Sequence, residues 1–239
     1  MMHLEIMDNF IASCVRTKTQ TNINKDYIKN VKQSLNTIFI PYFHKSLNLT
    51  FKTMLKNQHR QIVNNNYGGY TNPIVKIPKS SIRDEVDIKL HKPLLKKEWY
   101  REELKKIKLS INDTIKIEIK DIPKEMWHSI ENTKEGLRLY LPQNKYVKYY
   151  INKMEEIMNC LRNGNKSLDL LGHYIQLGVI GHPFEKVNFS LIMSEVNYIL
   201  DLWGYIPINH GYLDFECFLN PTKNIIRSFK QTVNKEIIK

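Results

Sequence analysis

Ile28, Val31, Leu35, Ile38 and Phe39, and then Leu47, Phe51 and Leu55, recur every three or four positions between Asn24 and Val63, the spacing of an amphipathic helix. Pro41 stands between the two sets, so the pattern predicts two helices meeting at a bend. Asn64 to Pro73 is rich in Asn, Gly, Tyr and Thr and has no apolar period, which predicts a loop and a boundary between subregions. After it, Pro73 to Ile82 reads as irregular or extended. Pro93 to Lys108 reads as a basic helix with its proline in the first turn. Thr114 to Ile119 alternates and predicts a short strand.

The second half is more regular. Leu137 to Leu141 alternates between Gly136 and Pro142 and predicts a strand. Val147, Ile151, Met154, Met158 and Leu161 form one helical stripe that stops at Gly164, and Ser167 is placed to cap a second helix running toward Gly181. A third stripe, Ile192, Val196, Ile199 and Trp203, ends at Gly204.

Composition narrows the classes of function. The 239 residues carry 42% hydrophobic and 25% charged side chains, a globular balance that excludes disordered, collagenous and rod-like chains. Apolar runs break well before the ~18–20 residues of a membrane span, and Met1 to Phe10 holds no basic stretch followed by an apolar one, so neither a span nor a secretory leader is expected. Cys14, Cys160 and Cys217 are odd in number and far apart. They support neither a disulfide framework nor a zinc site, and a reducing, cytoplasmic compartment is the expectation, with delivery into a host cell compatible with it. The net charge of +12 favours encounter with polyanions or an anionic surface. The densest basic stretch, Lys89 to Lys108, reads as a solvated helix face, because Glu98 and Glu102 precede Arg101, Lys105 and Lys106 at pairing distance. A basic amphipathic helix on a membrane surface is the alternative.

The chemistry is concentrated between the second and third helices of the C-terminal half, in His182–Pro183–Phe184–Glu185–Lys186–Val187–Asn188. A helix N-terminus offers unsatisfied N–H donors and a positive dipole end, so an anion can bind there while a histidine on the preceding turn faces it as a base. This segment resembles the core motif of Fic, or Fido-fold, proteins, which runs His-Pro-Phe-x-(Asp/Glu)-Gly-Asn-Gly-Arg-x-x-Arg. His182, Pro183, Phe184 and Asn188 stand at its spacing, and Asn197, Tyr198 to Leu200, Gly204, Tyr205 and Pro207 follow as in the family. The resemblance covers roughly Leu137 to Phe218.

The resemblance implies a mainly α fold, with a Fic-like helical core over 137–239, a short β-hairpin flap and a connecting region over 67–136 that is partly Fic-associated; the apolar spacing upstream adds an N-terminal helical extension over 1–66, outside the resemblance. It implies that His182 is a general base that takes a proton from a Ser, Thr or Tyr hydroxyl of a target protein, which then attacks a nucleotide phosphate, most often to move AMP from ATP with Mg²⁺. Pro183 and Phe184 would shape and anchor the turn, and Asn188 would donate to a phosphate oxygen. Leu137, Leu139 and Leu141 would form a flap strand that holds the target by edge pairing.

The departures from the motif carry as much meaning. Lys186 occupies the place of the acid that holds Mg²⁺, and an ammonium has no lone pair for a hard cation, so no metal site is expected. Lys186 would instead replace part of the lost positive charge, as a point charge on phosphate. Val187 and Phe189 replace two glycines, Ser190 and Met193 replace two arginines, and Gly181 stands where the family has an apolar residue. The leading expectation is therefore a divergent, pseudoenzyme-type binding protein or effector that requires no cofactor and recognises a protein partner. The alternative is an active transferase with His182 as base and ATP–Mg²⁺ as donor. A basic nucleic-acid- or lipid-binding module is the third reading.

Overall fold

The structure, a computed structural model, describes residues 25–63, 80–85, 94–96, 109–209 and 213–234. It is mainly α-helical with one small sheet, as expected. In chain order come α1 (Lys25–Ser34), a π-turn (Leu35–Phe39), α2 (Ile40–Phe43), α3 (Phe51–Ile62), β1 (Leu94–Lys96), β2 (Thr114–Lys116), β3 (Ser129–Asn132), β4 (Gly136–Tyr140), α4 (Val147–Arg162), α5 (Leu168–Gly181), α6 (Asn188–Leu202), α7 (Leu213–Leu219) and α8 (Thr222–Asn234).

Helices α5 and α6 are the centre of the molecule. Every residue from Leu171 to Gly181 and from Leu191 to Leu200 is buried, the state expected of helices that are apolar nearly all round. Helix α4 buries only its stripe of Val147, Tyr150, Ile151, Met154, Ile157, Met158 and Leu161. The Ser167 hydroxyl accepts from the Leu170 N–H and starts α5. Two glycines set how closely the neighbours approach α5. A Cβ on Gly181 would lie 2.6 Å from Tyr150 Cβ, and one on Gly178 would lie 2.7 Å from Ile192. An apolar side chain at 181 has no room beside Tyr150.

The N-terminal helices belong to the same hydrophobic cluster as α4 to α8. Phe39 and Phe43 meet Tyr198 edge-on, Phe51 meets Tyr174, and Arg162 lies 3.9 Å over the ring of Tyr42 while its Nε donates to Phe43 O. The bend expected at Pro41 is not there. The Ile40 N–H reaches back five residues to Leu35 O, and this widened turn absorbs a proline that lacks its own donor and would crowd the preceding carbonyls. The chain turns later, between His44 and Thr50, where the Thr50 hydroxyl caps α3. The loop and boundary expected over Asn64 to Pro73 lie outside the described residues.

The sheet is antiparallel in the order β1-β4-β3-β2. Its first strand corrects an expectation: Leu94–Lys96, read as the start of a basic helix, pairs with Gly136 to Arg138. Helical spacing in a short apolar run was overridden by a strand about forty residues away in the chain. The rest of that basic segment, through Lys108, lies outside the described residues. Only Thr114–Lys116 of the strand expected over Thr114 to Ile119 is ladder. The chain then leaves the sheet and docks on the helices, where His128 Nε2 bonds Phe218 O, Lys120 N–H donates to the Thr222 hydroxyl and Tyr150 Oη donates to Met126 O. Among the described residues no helix is long and apolar enough to cross a membrane.

Candidate functional site

Helix α5 runs out at Gly181, and His182 caps it in the left-handed conformation (φ 46°, ψ 60°) with its N–H on Gly178 O. Pro183 follows, without an N–H to continue the ladder. Phe184 turns into the core and is fully buried, while Glu185 and Lys186 are exposed. Val187 then takes φ 67°, ψ 4° and α6 begins at Asn188. Helix, short turn and helix are thus arranged as the spacing predicts. Val187 is the anomaly. A β-branched residue at positive φ is strained, and Val187 holds the conformation that a glycine adopts without penalty.

Asn188 closes the turn on itself. Its Oδ1 accepts the Phe184 N–H at 2.8 Å and its Nδ2 donates to Phe184 O at 2.8 Å, so both halves of the amide are engaged four residues back. This is a turn-holding role that the sequence did not suggest.

Two residues from the N-terminal half hold the turn from outside. The His59 ring, fully buried on α3, stacks on Phe184 with centroids 4.1 Å apart. Its Nε2 lies 3.1 Å from Lys186 O and its Nδ1 2.9 Å from Ser80 Oγ. A carbonyl only accepts, so Nε2 carries the proton and Nδ1 accepts from the serine. Burial pushes the His59 pKa down to about 4, consistent with this neutral tautomer. Arg83, only 2% exposed, spreads its guanidinium over neutral acceptors: Nε to Asn144 Oδ1, Nη1 to the carbonyls of Gly181 and His182, and Nη2 to Pro142 O. Its backbone N–H adds a bond to Pro183 O. Ion pairs of Asp84 with Lys52, and of Glu85 with Lys52 and Lys56, tie the same segment to α3.

His182 is only partly buried as a residue, but its imidazole is enclosed and bonded to backbone groups of Glu185 and Val179. Burial and the nearby charge of Arg83 hold its pKa down at about 4, against the opposing pull of backbone groups of Glu185 and Val179. At neutral pH it is a free base. Around the start of α6 the side chains are apolar or uncharged: Val187 and Phe189 are partly buried against the core, Ser190 is partly buried, and Met193 is fully buried. Lys186 and Glu185 are the charged side chains of the turn, both exposed. Among the described residues no group of three or more His, Cys, Asp or Glu could hold a metal ion.

His182, Pro183, Phe184, Lys186 and Asn188 therefore come together in one turn. Leu137 lies in the stretch of β4 paired on both sides, whereas Leu139 is paired with β3 alone. Both are buried, and β4 pairs with β3 on one side and with β1 on the other over Gly136 to Arg138. At Leu137 a strand paired on both sides has no unmade hydrogen bonds to offer, which runs against the flap expectation at that position. Leu141 is partly buried just past the strand, at the exit that Arg83 ties to the turn through Pro142 and Asn144. Arg83 and His59 were missed because nothing in their neighbourhoods marks them. Arg83 sits in an ordinary charged run with Asp84 and Glu85, and His59 is a single histidine on an amphipathic helix, 123 residues before His182.

No family model matches the chain, and no curated protein matches it. Among solved structures it is similar to a Fic-domain-containing signaling protein from Bacteroides thetaiotaomicron, at 13% identity and a TM-score of 0.45, over 97% of this chain and 86% of that one.

Proposed function

We propose that this chain is a Fic-like protein whose helix–turn–helix serves as a scaffold for binding a protein partner in place of nucleotide chemistry. The supporting observation is the start of α6, where the Asn188 amide is spent on Phe184 and the positions that would cradle phosphate hold Val187, Phe189, Ser190 and Met193. Each charged hydrogen bond to phosphate contributes about 1.5–3 kcal/mol. Losing three or four lowers nucleotide affinity by several orders of magnitude. Lys186 supplies one exposed charge and no metal ligand. Titration calorimetry with ATP–Mg²⁺ at millimolar concentration should show no saturable heat, and a saturable isotherm overturns the proposal.

One observation favours the transferase reading: His182 leads the turn into α6 and its ring is neutral at physiological pH, the form a general base requires. Mass spectrometry of a lysate incubated with the protein or with His182→Ala decides it. An adduct on target hydroxyls that depends on His182 establishes transfer, and identical spectra end that reading.

A further inference from the structure

We infer that Arg83 is the positioning residue of the His182 turn, setting both the path of the backbone that carries the imidazole and the charge that faces it. The inference rests on reading that turn as the functional site. Three consecutive carbonyls, those of Gly181, His182 and Pro183, accept from this one residue, two from Nη1 and one from the backbone N–H. The other two guanidinium nitrogens reach Asn144 Oδ1 at 3.1 Å and Pro142 O at 2.6 Å. The turn is thereby joined to the segment leaving β4, some forty residues earlier in the chain.

The partner chemistry separates this from ordinary buried packing. A cation taken out of water is normally offset by a carboxylate, yet every acceptor on this guanidinium is neutral. Its own neighbours Asp84 and Glu85 face the lysines of α3 instead. The positive charge is left to act on what lies beside it. That is the carbonyl end of α5, which a cation stabilises, and the His182 ring, where it adds to burial in disfavouring the protonated form. The bonds to Gly181 and His182 also stabilise a residue in the left-handed conformation, which disfavours any side chain larger than glycine. The segment bearing Arg83 is itself fixed to α3 by the ion pairs of Asp84 and Glu85 with Lys52 and Lys56, contacts that do not involve the turn.

The test uses the full chain as Arg83→Gln and Arg83→Lys, following the His182 titration by NMR and amide hydrogen exchange along α5 and α6. In Arg83→Gln the His182 midpoint should move up, because the repelling charge is gone. In Arg83→Lys, which keeps a charge and loses the fork, the midpoint should stay low while exchange at His182 and Phe184 speeds up about tenfold or more and Ile175 and Val196 keep their protection. Unchanged midpoints together with unchanged exchange overturn the inference, as does exchange that rises evenly along both helices. If Arg83→Gln does not fold, Arg83→Lys decides alone: faster exchange confined to the turn supports the inference, and any other pattern overturns it. Neither readout involves nucleotide or partner. Saturable ATP–Mg²⁺ binding by the unmodified protein would therefore defeat the proposed function without touching this result.

Discussion

The imidazole of His59 lies almost flat on the ring of Phe184, their centroids 4.1 Å apart and their planes 18° from parallel. That contact makes a helix near the N-terminus a wall of a turn 123 residues later in the sequence. Replacing His59 by Ala removes the stack and leaves Lys186 O and the Ser80 hydroxyl without their partner. We expect a loss of about 2–3 kcal/mol in denaturant unfolding. His59→Phe, which keeps the stack, should recover part of it; an alanine variant as stable as the parent would show that the contact contributes nothing.

Gly181→Ala tests the approach of α4 to α5. Alanine is the better helix former by about 1 kcal/mol, but its methyl would sit 2.6 Å from Tyr150 Cβ. We expect net destabilisation of about 1–3 kcal/mol, read as a lower urea midpoint. A rise in the midpoint would mean that the two helices are farther apart than described.

Val187→Gly should leave stability unchanged or improve it by up to about 1 kcal/mol. Relief of the left-handed penalty of about 1–2 kcal/mol outweighs the loss of a partly buried side chain. A valine elsewhere in the core would respond in the opposite sense, so a clear fall in thermal stability would refute the φ of 67°.

Stability should peak near pH 6.5, for opposing reasons on the two sides. His59, His128 and His182 are held at about 4 against an ordinary 6.5. The folded state binds fewer protons there, and each histidine withdraws about 1.4 kcal/mol per pH unit as pH falls from 6.5 toward 4. Glu195 is fully buried, accepts a hydrogen bond from the Tyr174 hydroxyl, leaves its Oε1 without a hydrogen-bond partner, and is pushed up by burial to about 8 from an ordinary 4.5. Its sign is reversed: the folded state holds the proton more tightly, and stability is lost as pH rises through that interval. Above 6.5 only this loss remains among the four groups. Glu195→Gln keeps an acceptor for Tyr174 and should abolish the decline between pH 6.5 and 8 in chemical denaturation. A decline that persists in the variant would assign it to another group.

Local patterning was enough for the C-terminal helices. The stripe from Val147 to Leu161, the Ser167 cap and the stops at Gly164 and Gly204 are all readable because each depends on residues within one or two turns of itself. The turn between α5 and α6, with His182 leading it, was legible for the same reason. Strand β1 was not: Leu94 and Leu95 have the spacing of a helix, and the partner strand that decides their state is far along the chain. The free flap edge at Leu137 was lost to that same pairing. Arg83 and His59 stayed hidden because their function is conferred by what the fold sets beside them, carbonyls and a phenyl ring a hundred residues away, and no periodicity in a linear chain encodes that. The helices, their caps and the histidine-bearing turn are written in the linear chain, since they follow from short-range spacing and backbone preference. Which groups hold the turn, which strand edges are spent and which ionisable side chains lie away from water emerge only on folding, since each of these is a property of neighbours in space.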